Sequence, residues 1–492
     1  MLPRLACPLA RHLVRPVTVA LALQALSPAA RAQAAPLPAP VQAALARARI
    51  DAGSLYAWVA PADGGEPRLA HQATALGHPA SVMKVVTSIA ALERLGPVFQ
   101  WRTPVLRQGG DLYLRGSGDP RLSGERLGTL LRQAMDALGS DAVGDIVLDR
   151  SAFAIADIPP GAFDGEPLRP YNVRPDALMI DQKSVLLTLR PDPARGVARL
   201  AVDGPLAGVR WPATVPLASG PCQDWRTGLG LDLAEPARPR LNGRYPASCG
   251  EKVWPLAWVE PAGFNARAIE ARWRALGGRL DGRVREGRVP ADATALLTWT
   301  SPPLPEVLRD MNKHSNNMIA QHVLLALSPG QPEAPATVEA ARAEVQALAQ
   351  AHGCRDDELV VDNGAGLSRQ ERVTARCLGR LLQWAWTRPW MPELLGSLPV
   401  AGIETTARRA VSVAGRAHLK TGSLDGVATL AGYVHGDDGR RHVLVALINH
   451  PQAGSAEARA VLDALAGWVL TSAPAGAPAP ATDHSSSGWS TL

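Results

Sequence analysis

Between Ala80 and Leu95 the apolar residues Val82, Val85, Val86, Ile89 and Leu92 recur at helical spacing, and Gly96-Pro97 predicts the stop. Ahead of this helix, the Ala-rich stretch Ala35 to Ala48 reads as helical, Ser54 to Ala60 as a strand and Asp63-Gly64-Gly65 as a hairpin turn. The pattern changes from about Thr103 to Thr300, where Gly and Pro separate short apolar runs: Asp111 to Leu114, Ile146 to Leu148, Val185 to Leu189 and Val197 to Val202. One helix is predicted there, around Leu127 to Leu138. The segment therefore reads as one or two inserted, mostly β modules, the inner one near 185–250. Helical periodicity returns over Leu304 to Leu327, Pro335 to Ala351 and Val373 to Trp386. Three strand-like segments follow, Arg416 to Gly422, Val427 to His435 and Arg441 to Asn449. A last helix, Ala456 to Leu470, carries Val461, Leu462, Leu465, Trp468 and Val469 on one face. That stripe suits packing on the preceding strands better than contact with a membrane surface. Residues 472–492, rich in Ala, Pro and Ser, are expected to be disordered.

With 492 residues, 46% of them hydrophobic, the chain is long and apolar enough for more than one core. Its net charge of +6 at first suggests an anionic partner. Residues 1–34 change that picture. They hold Arg4, Arg11, Arg15 and Arg31 and no acid, an apolar run from Val17 to Leu26, and Ala32-Gln33-Ala34, the pattern of a cleaved secretory signal. Taking those four charges from +6 leaves +2, which gives no electrostatic case for binding nucleic acid. The expectation is an exported, periplasmic protein with at most peripheral membrane contact. Four cysteines remain beyond Cys7, and in an oxidising compartment the sequence-local pairings are Cys222 with Cys249 and Cys354 with Cys377, although four cysteines allow three connectivities.

No GxGxxG, Walker loop, HExxH or GxSxG occurs. The 13 tryptophans suit scattered packing better than a sugar-stacking platform. Lysine is more informative, because it fills only five of the 51 basic positions: Lys84, Lys183, Lys252, Lys313 and Lys420. Ser81-Val82-Met83-Lys84 opens a predicted helix, and residues three apart share a helix face. A serine hydroxyl becomes a nucleophile when a neutral amine takes its proton, and burial or a nearby cation lowers a lysine toward neutrality. As an isolated pattern S-x-x-K arises by chance about 0.24 times in such a chain, and a surface serine beside an extended lysine would explain it equally well. Ser315-Asn316-Asn317 adds a hydroxyl and a carboxamide that can relay a proton and hold a peptide carbonyl. Lys420-Thr421-Gly422, followed by Ser423, adds a cation and hydroxyls for a carboxylate, and a glycine that lets a backbone approach. The backbone N–H groups of Ser81 and Ser423 are candidates for an oxyanion hole. All three motifs in this order have a chance expectation of about 0.002.

The set S-x-x-K, S-x-N and K-T-G is the signature of penicillin-recognising serine enzymes. Within them the chain resembles the D-alanyl-D-alanine carboxypeptidase/endopeptidase family, the class C low-molecular-mass penicillin-binding proteins. The resemblance runs through PASVMK (79–84), DLYLRGSGDPRLS (111–123), YNVRPDALMI (171–180), MNKHSNNMIAQ (311–321), DNGAGLSR (362–369), SLPVAGIETTARR (397–409) and HLKTGSLDGVATLAGYV (418–434). It implies an α/β (α+β) transpeptidase-like fold with a five-stranded, mainly antiparallel sheet, residues 35–102 and 301–471 forming the peptidase domain and 103–300 the insertion. It further implies Ser81 as nucleophile, Lys84 as base, Ser315 and Asn317 as proton shuttle and substrate anchor, and Lys420, Thr421 and Ser423 as carboxylate holders, with Arg369 lining the groove. Peptidoglycan peptides would be the substrate and β-lactams covalent inhibitors. Four positions in three motifs depart from the family pattern. Asn316 stands where Asp is common, Asn-Gly-Ala-Gly (363–366) replaces Asp-Gly-Ser-Gly, and Thr405 occupies a glycine position although a branched residue resists positive φ. A β-lactamase or esterase of the same superfamily would be distinguished by fast cephalosporin turnover. A non-catalytic cell-wall-binding protein would have no need of a nucleophile with its base.

Overall fold

Five segments with apolar side chains on alternating or on both faces pair into one sheet: β1 (Leu55–Pro61), β2 (Leu69–His71), β3 (Ala417–Leu424), β4 (Val427–His435) and β5 (Arg441–Asn449). Their order is β2-β1-β5-β4-β3, and every pairing is antiparallel, as expected. The computed structural model describes residues 36–471; the expected signal segment 1–34 and the expected disordered tail 472–492 lie outside them.

Along β5, Val443, Val445 and Leu447 enter one core and Leu444, Ala446 and Ile448 the other, so both faces must be covered. One face is covered by α1 (Ala39–Ala48) and the C-terminal helix. The other carries α2 (Met83–Leu95), α3 (Leu304–Lys313), α4 (Asn317–Leu325), α5 (Val338–Ala351) and α6 (Ala375–Trp386). The C-terminal helix, α7 (Ala456–Thr471), buries Val461, Leu465 and Val469 against the sheet, which is the packing expected of its stripe. Helix α2 is buried on all sides from Met83 to Leu92, and each of Val85, Val86, Ile89 and Leu92 contributes about 1.5–3 kcal/mol by leaving water.

The periodicity over Leu304 to Leu327 does not make one helix. The chain breaks after α3 at Ser315, which adopts φ 54°, and restarts as α4 with the Asn316 side chain accepting from the Ile319 N–H at 3.0 Å. Nothing in the apolar spacing announces the break, because Met311, Met318 and Ile319 still face the same core.

Segment 103–300 holds two further five-stranded sheets and two short two-stranded ones. The first is mixed, in the order Val284–Glu286, Ile146–Asp149, Asp111–Arg115, Arg102–Gln108, Thr294–Thr300, and shares a core with helices Gly124–Leu138 and Pro261–Ala275. The second helix is absent from the sequence expectation of a mostly β segment. Its apolar residues Phe264, Ala268, Ile269 and Trp273 are diluted by Arg267, Arg272 and Arg274. The second sheet runs Tyr245–Pro246, Thr214–Ala218, Val197–Asp203, Ser184–Asp192, Lys252–Ala257 around a small core of its own. Cys222 is bonded to Cys249 there, and Cys354 to Cys377 beside α6.

Candidate active site

Ser81 lies on the 3-10 turn Ala80–Val82 that leads into α2, so the nucleophile candidate precedes the α-helix proper by one turn. Ala80 is held at φ 45°, a costly value for a residue with a Cβ. His78 holds it there: the Ala80 N–H donates to His78 Nδ1 at 3.0 Å, His78 Nε2 meets the Ser368 carbonyl at 2.6 Å, and the His78 N–H donates to Asn449 Oδ1 at 2.6 Å. Two glycines press on the same turn. A Cβ on Gly366 would stand 1.9 Å from the Ala80 carbonyl oxygen, and one on Gly422 would stand 2.8 Å from the Ser81 nitrogen. Gly422 thus lets β3 close on the serine turn, a different task from admitting substrate backbone.

One turn along α2, Lys84 Nζ donates to Ser81 Oγ at 3.0 Å and to Asn317 Oδ1 at 2.7 Å, and it also reaches the Ala365 carbonyl. Across the cleft, Lys420 Nζ donates to Ser315 Oγ at 2.9 Å and to the Thr421 carbonyl at 2.6 Å. The left-handed backbone at Ser315 therefore turns its hydroxyl to Lys420 while Asn317, in the first turn of α4, turns to Lys84. Asn316 points away as the helix cap and donates to Gln182 Oε1 at 2.9 Å. Asp and Asn cap equally well, which explains why the middle position tolerates Asn. Three motifs far apart in sequence so form two serine-lysine pairs facing one cleft.

Both lysines are fully buried. Burial first, then the neighbouring Lys420 cation, holds Lys84 well below the ordinary lysine range, and burial brings Lys420 down to about 7. Neither lies within ion-pair distance of a carboxylate among the described residues, whereas the buried Lys183 and Lys313 pair with Asp176 and Glu404. A neutral amine is thus accessible next to the Ser81 hydroxyl, the condition under which it can accept a proton. Among the described residues, no group of three or more His, Cys, Asp or Glu side chains is arranged to hold a metal ion.

The remaining sequence candidates lie around the rim. Thr421 is half-buried, its hydroxyl 3.4 Å from the Thr406 carbonyl, and Ser423 is exposed. Arg369 is exposed and stacks its guanidinium over Phe163 at 4.6 Å, outside the serine-lysine pairs. Thr405 does adopt positive φ, at 32°, against the expectation that its branched side chain resists it; its hydroxyl donates to the Lys313 carbonyl and offsets the strain. Residues that sequence reasoning missed act through the backbone or from segment 103–300. They are Ala365, whose carbonyl receives Lys84, Tyr171, whose carbonyl meets Asn317 Nδ2 at 3.4 Å, and Gln182. Their neighbourhoods, DNGAGLSR and YNVRPDALMI, are visible as blocks in the sequence, but the contacts are not.

Residues 37–471 match the sequence model of the D-Ala-D-Ala carboxypeptidase 3 (S13) family. The chain is 30% identical over 437 residues to the D-alanyl-D-alanine carboxypeptidase of Actinomadura sp. strain R39, covering 82% of this chain and 77% of that one. It is 26% identical over 411 residues to D-alanyl-D-alanine carboxypeptidase DacB of Haemophilus influenzae, covering 77% and 82%. The fold superposes on the crystal structure of penicillin binding protein 4 from H. influenzae with a TM-score of 0.70 at 24% identity, over 87% of this chain and 97% of that one.

Proposed function

Because the chain belongs to the D-Ala-D-Ala carboxypeptidase 3 (S13) family, we propose that its Ser81 cleaves the peptide bond of D-alanyl-D-alanine termini in peptidoglycan. The carrying observation is the Ser81 Oγ to Lys84 Nζ hydrogen bond of 3.0 Å, made by a buried lysine without a carboxylate partner. Neutral Lys84 accepts the hydroxyl proton as Ser81 Oγ bonds to the scissile carbonyl carbon. Backbone N–H groups at Ser81 and Ser423 receive the developing oxyanion. When the C–N bond breaks, the proton passes to the leaving amine through Ser315, whose hydroxyl is held by Lys420. Water then attacks the acyl-Ser81 ester and restores the serine.

The other roles belong to the same reading. Asn317 holds Lys84 through its carbonyl oxygen and offers its amide to the substrate. Lys420, Thr421 and Ser423 hold the terminal carboxylate, and Arg369 lines the groove around the stem peptide. Endopeptidase cleavage of cross-links uses the same steps, since only the leaving amine differs. β-Lactams acylate Ser81 and leave it slowly. Residues 35–102 and 301–471 form the peptidase domain in this reading, and 103–300 the insertion. The protein acts in the periplasm after removal of residues 1–34; among the described residues no helix is long and apolar enough to cross a membrane.

Mass spectrometry of the protein incubated with penicillin, followed by peptide mapping, tests the reading. The expected result is one penicilloyl increment on the peptide containing Ser81 and none in Ser81→Ala. An unmodified wild type, or an increment that survives the substitution, would overturn it.

A further inference from the structure

Glu371 is fully buried against the loop 362–366. Its Oε1 accepts three consecutive backbone N–H groups, from Asp362 at 3.2 Å, Asn363 at 3.0 Å and Gly364 at 2.8 Å. Its Oε2 is also buried and has no hydrogen-bond partner among the described residues. A half-satisfied buried carboxylate costs stability unless something offsets it. The loop it gathers is the one whose Ala365 carbonyl receives Lys84, whose Gly364 carbonyl accepts from Thr87 Oγ1 at 2.7 Å on α2, and whose Gly366 abuts the Ser81 turn.

We propose that Glu371 is a positioning residue for Lys84: by collecting the N–H groups of residues 362–364 it fixes the Ala365 carbonyl as a hydrogen-bond acceptor for the lysine. The inference rests on the reading of Lys84 as the base for Ser81. The charged groups that bear on the Glu371 carboxyl are Lys84 from α2 and Asp362 from the loop it gathers, while Arg372, the next residue in the chain, donates to the Glu371 backbone carbonyl. Asp362 is in turn paired with Arg342 from α5 and acted on by Arg174 from segment 103–300. Burial raises the carboxyl to about 7, so near neutral pH it exchanges its charge in the range where Lys84 must be able to lose its proton. When ionised, Glu371 favours the ammonium form of Lys84 and stops burial from depressing it further.

The experiment follows Ser81 acylation by a chromogenic β-lactam against pH in the wild type, E371A and E371Q, with thermal unfolding of each. Glu371→Ala removes the acceptor and is expected to slow acylation by about tenfold or more. Glu371→Gln keeps an oxygen for the three N–H groups and is expected to restore the rate to within about threefold. Without the negative charge, Lys84 loses its proton more easily, so the rising limb of the E371Q profile moves to lower pH, by about half a unit or more. A merely structural glutamate would not move that limb. E371A acylating at the wild-type rate, or E371Q with the wild-type profile, overturns the proposal. If E371A does not fold, the E371Q profile alone decides. Wild-type acylation at Ser81, abolished in Ser81→Ala, separates failure of this inference from failure of the catalytic reading.

Discussion

The buried lysines fall into two regions that treat the same side chain in opposite ways. On the flanks, Lys183 meets Asp176 at 2.5 Å, an aspartate also bound by Arg150 at 2.6 Å, and Lys313 meets Glu404. At the cleft floor, Lys84 and Lys420 meet hydroxyls, an amide oxygen and backbone carbonyls. A flank lysine has its charge matched and serves as a structural cation. A cleft lysine has hydrogen-bond acceptors for either protonation state but no ion-paired counter-charge, so it gives up its proton more easily. In a chain that otherwise uses arginine for its positive charge, four of the five lysines are buried and Lys252 is exposed, and among the buried ones the choice of partner separates the two regions.

The sharpest way to break this contrast is Lys84→Arg. A guanidinium keeps its proton, so Ser81 acylation is expected to fall about a thousandfold while the thermal transition persists, as stopped-flow acylation and calorimetry would show. A Lys84→Arg enzyme that acylates normally would remove the distinction. On the flank the expected damage is to stability. Asp176→Ala leaves the buried Lys183 without its counter-charge and Arg150 with Glu286 as its acid partner, and should cost about 3–5 kcal/mol in urea unfolding, with acylation by the folded fraction nearly unchanged.

A smaller effect concerns pH. Lys420 titrates at about 7 when folded and in the ordinary alkaline range when unfolded, so between those values the unfolded chain binds more protons. Stability should therefore rise with pH from about 7 upward, and Lys420→Met should flatten that rise in unfolding curves taken at pH about 7 and about 9. The smallest effect belongs to Thr405→Gly. It relieves φ 32° but gives up the hydroxyl contact to the Lys313 carbonyl, so the unfolding free energy should change by less than about 1 kcal/mol.

What could be read in the sequence was whatever chemistry is local. Ser81 with Lys84 and Ser315 with Asn317 are short-range pairs on helix starts, and Lys420-Thr421-Gly422 is one strand segment, so short spacing made them candidates and the three-motif set with its family resemblance gave them their roles. The short apolar runs of strands β3 to β5, separated by turns, were legible for the same reason. The break at Ser315 was not, because a serine carries the left-handed φ without Gly or Pro to signal it. Nor were Ala365 and Gln182, since one acts through its carbonyl and the other through a contact from a distant segment. Glu371 sat unremarked in Gln370-Glu371-Arg372 because an acid between polar neighbours reads as surface, and only the fold shows it enclosed.

The sheet also sets an order in time. Strand β1 is hydrogen-bonded to β2 on one side and to β5 on the other, with Leu55 opposite Ile448, so one of the first strands synthesised waits for one of the last. Ser81 and Lys84 leave the ribosome together, but Lys420, the strand that closes on the serine turn and the partner that seats β1 arrive only near the end of the chain. A truncated or half-made chain therefore has the Ser81 and Lys84 pair without the groups that surround it. Such long-range closure is slow to form, and activity should appear in one late step, when the last strands dock.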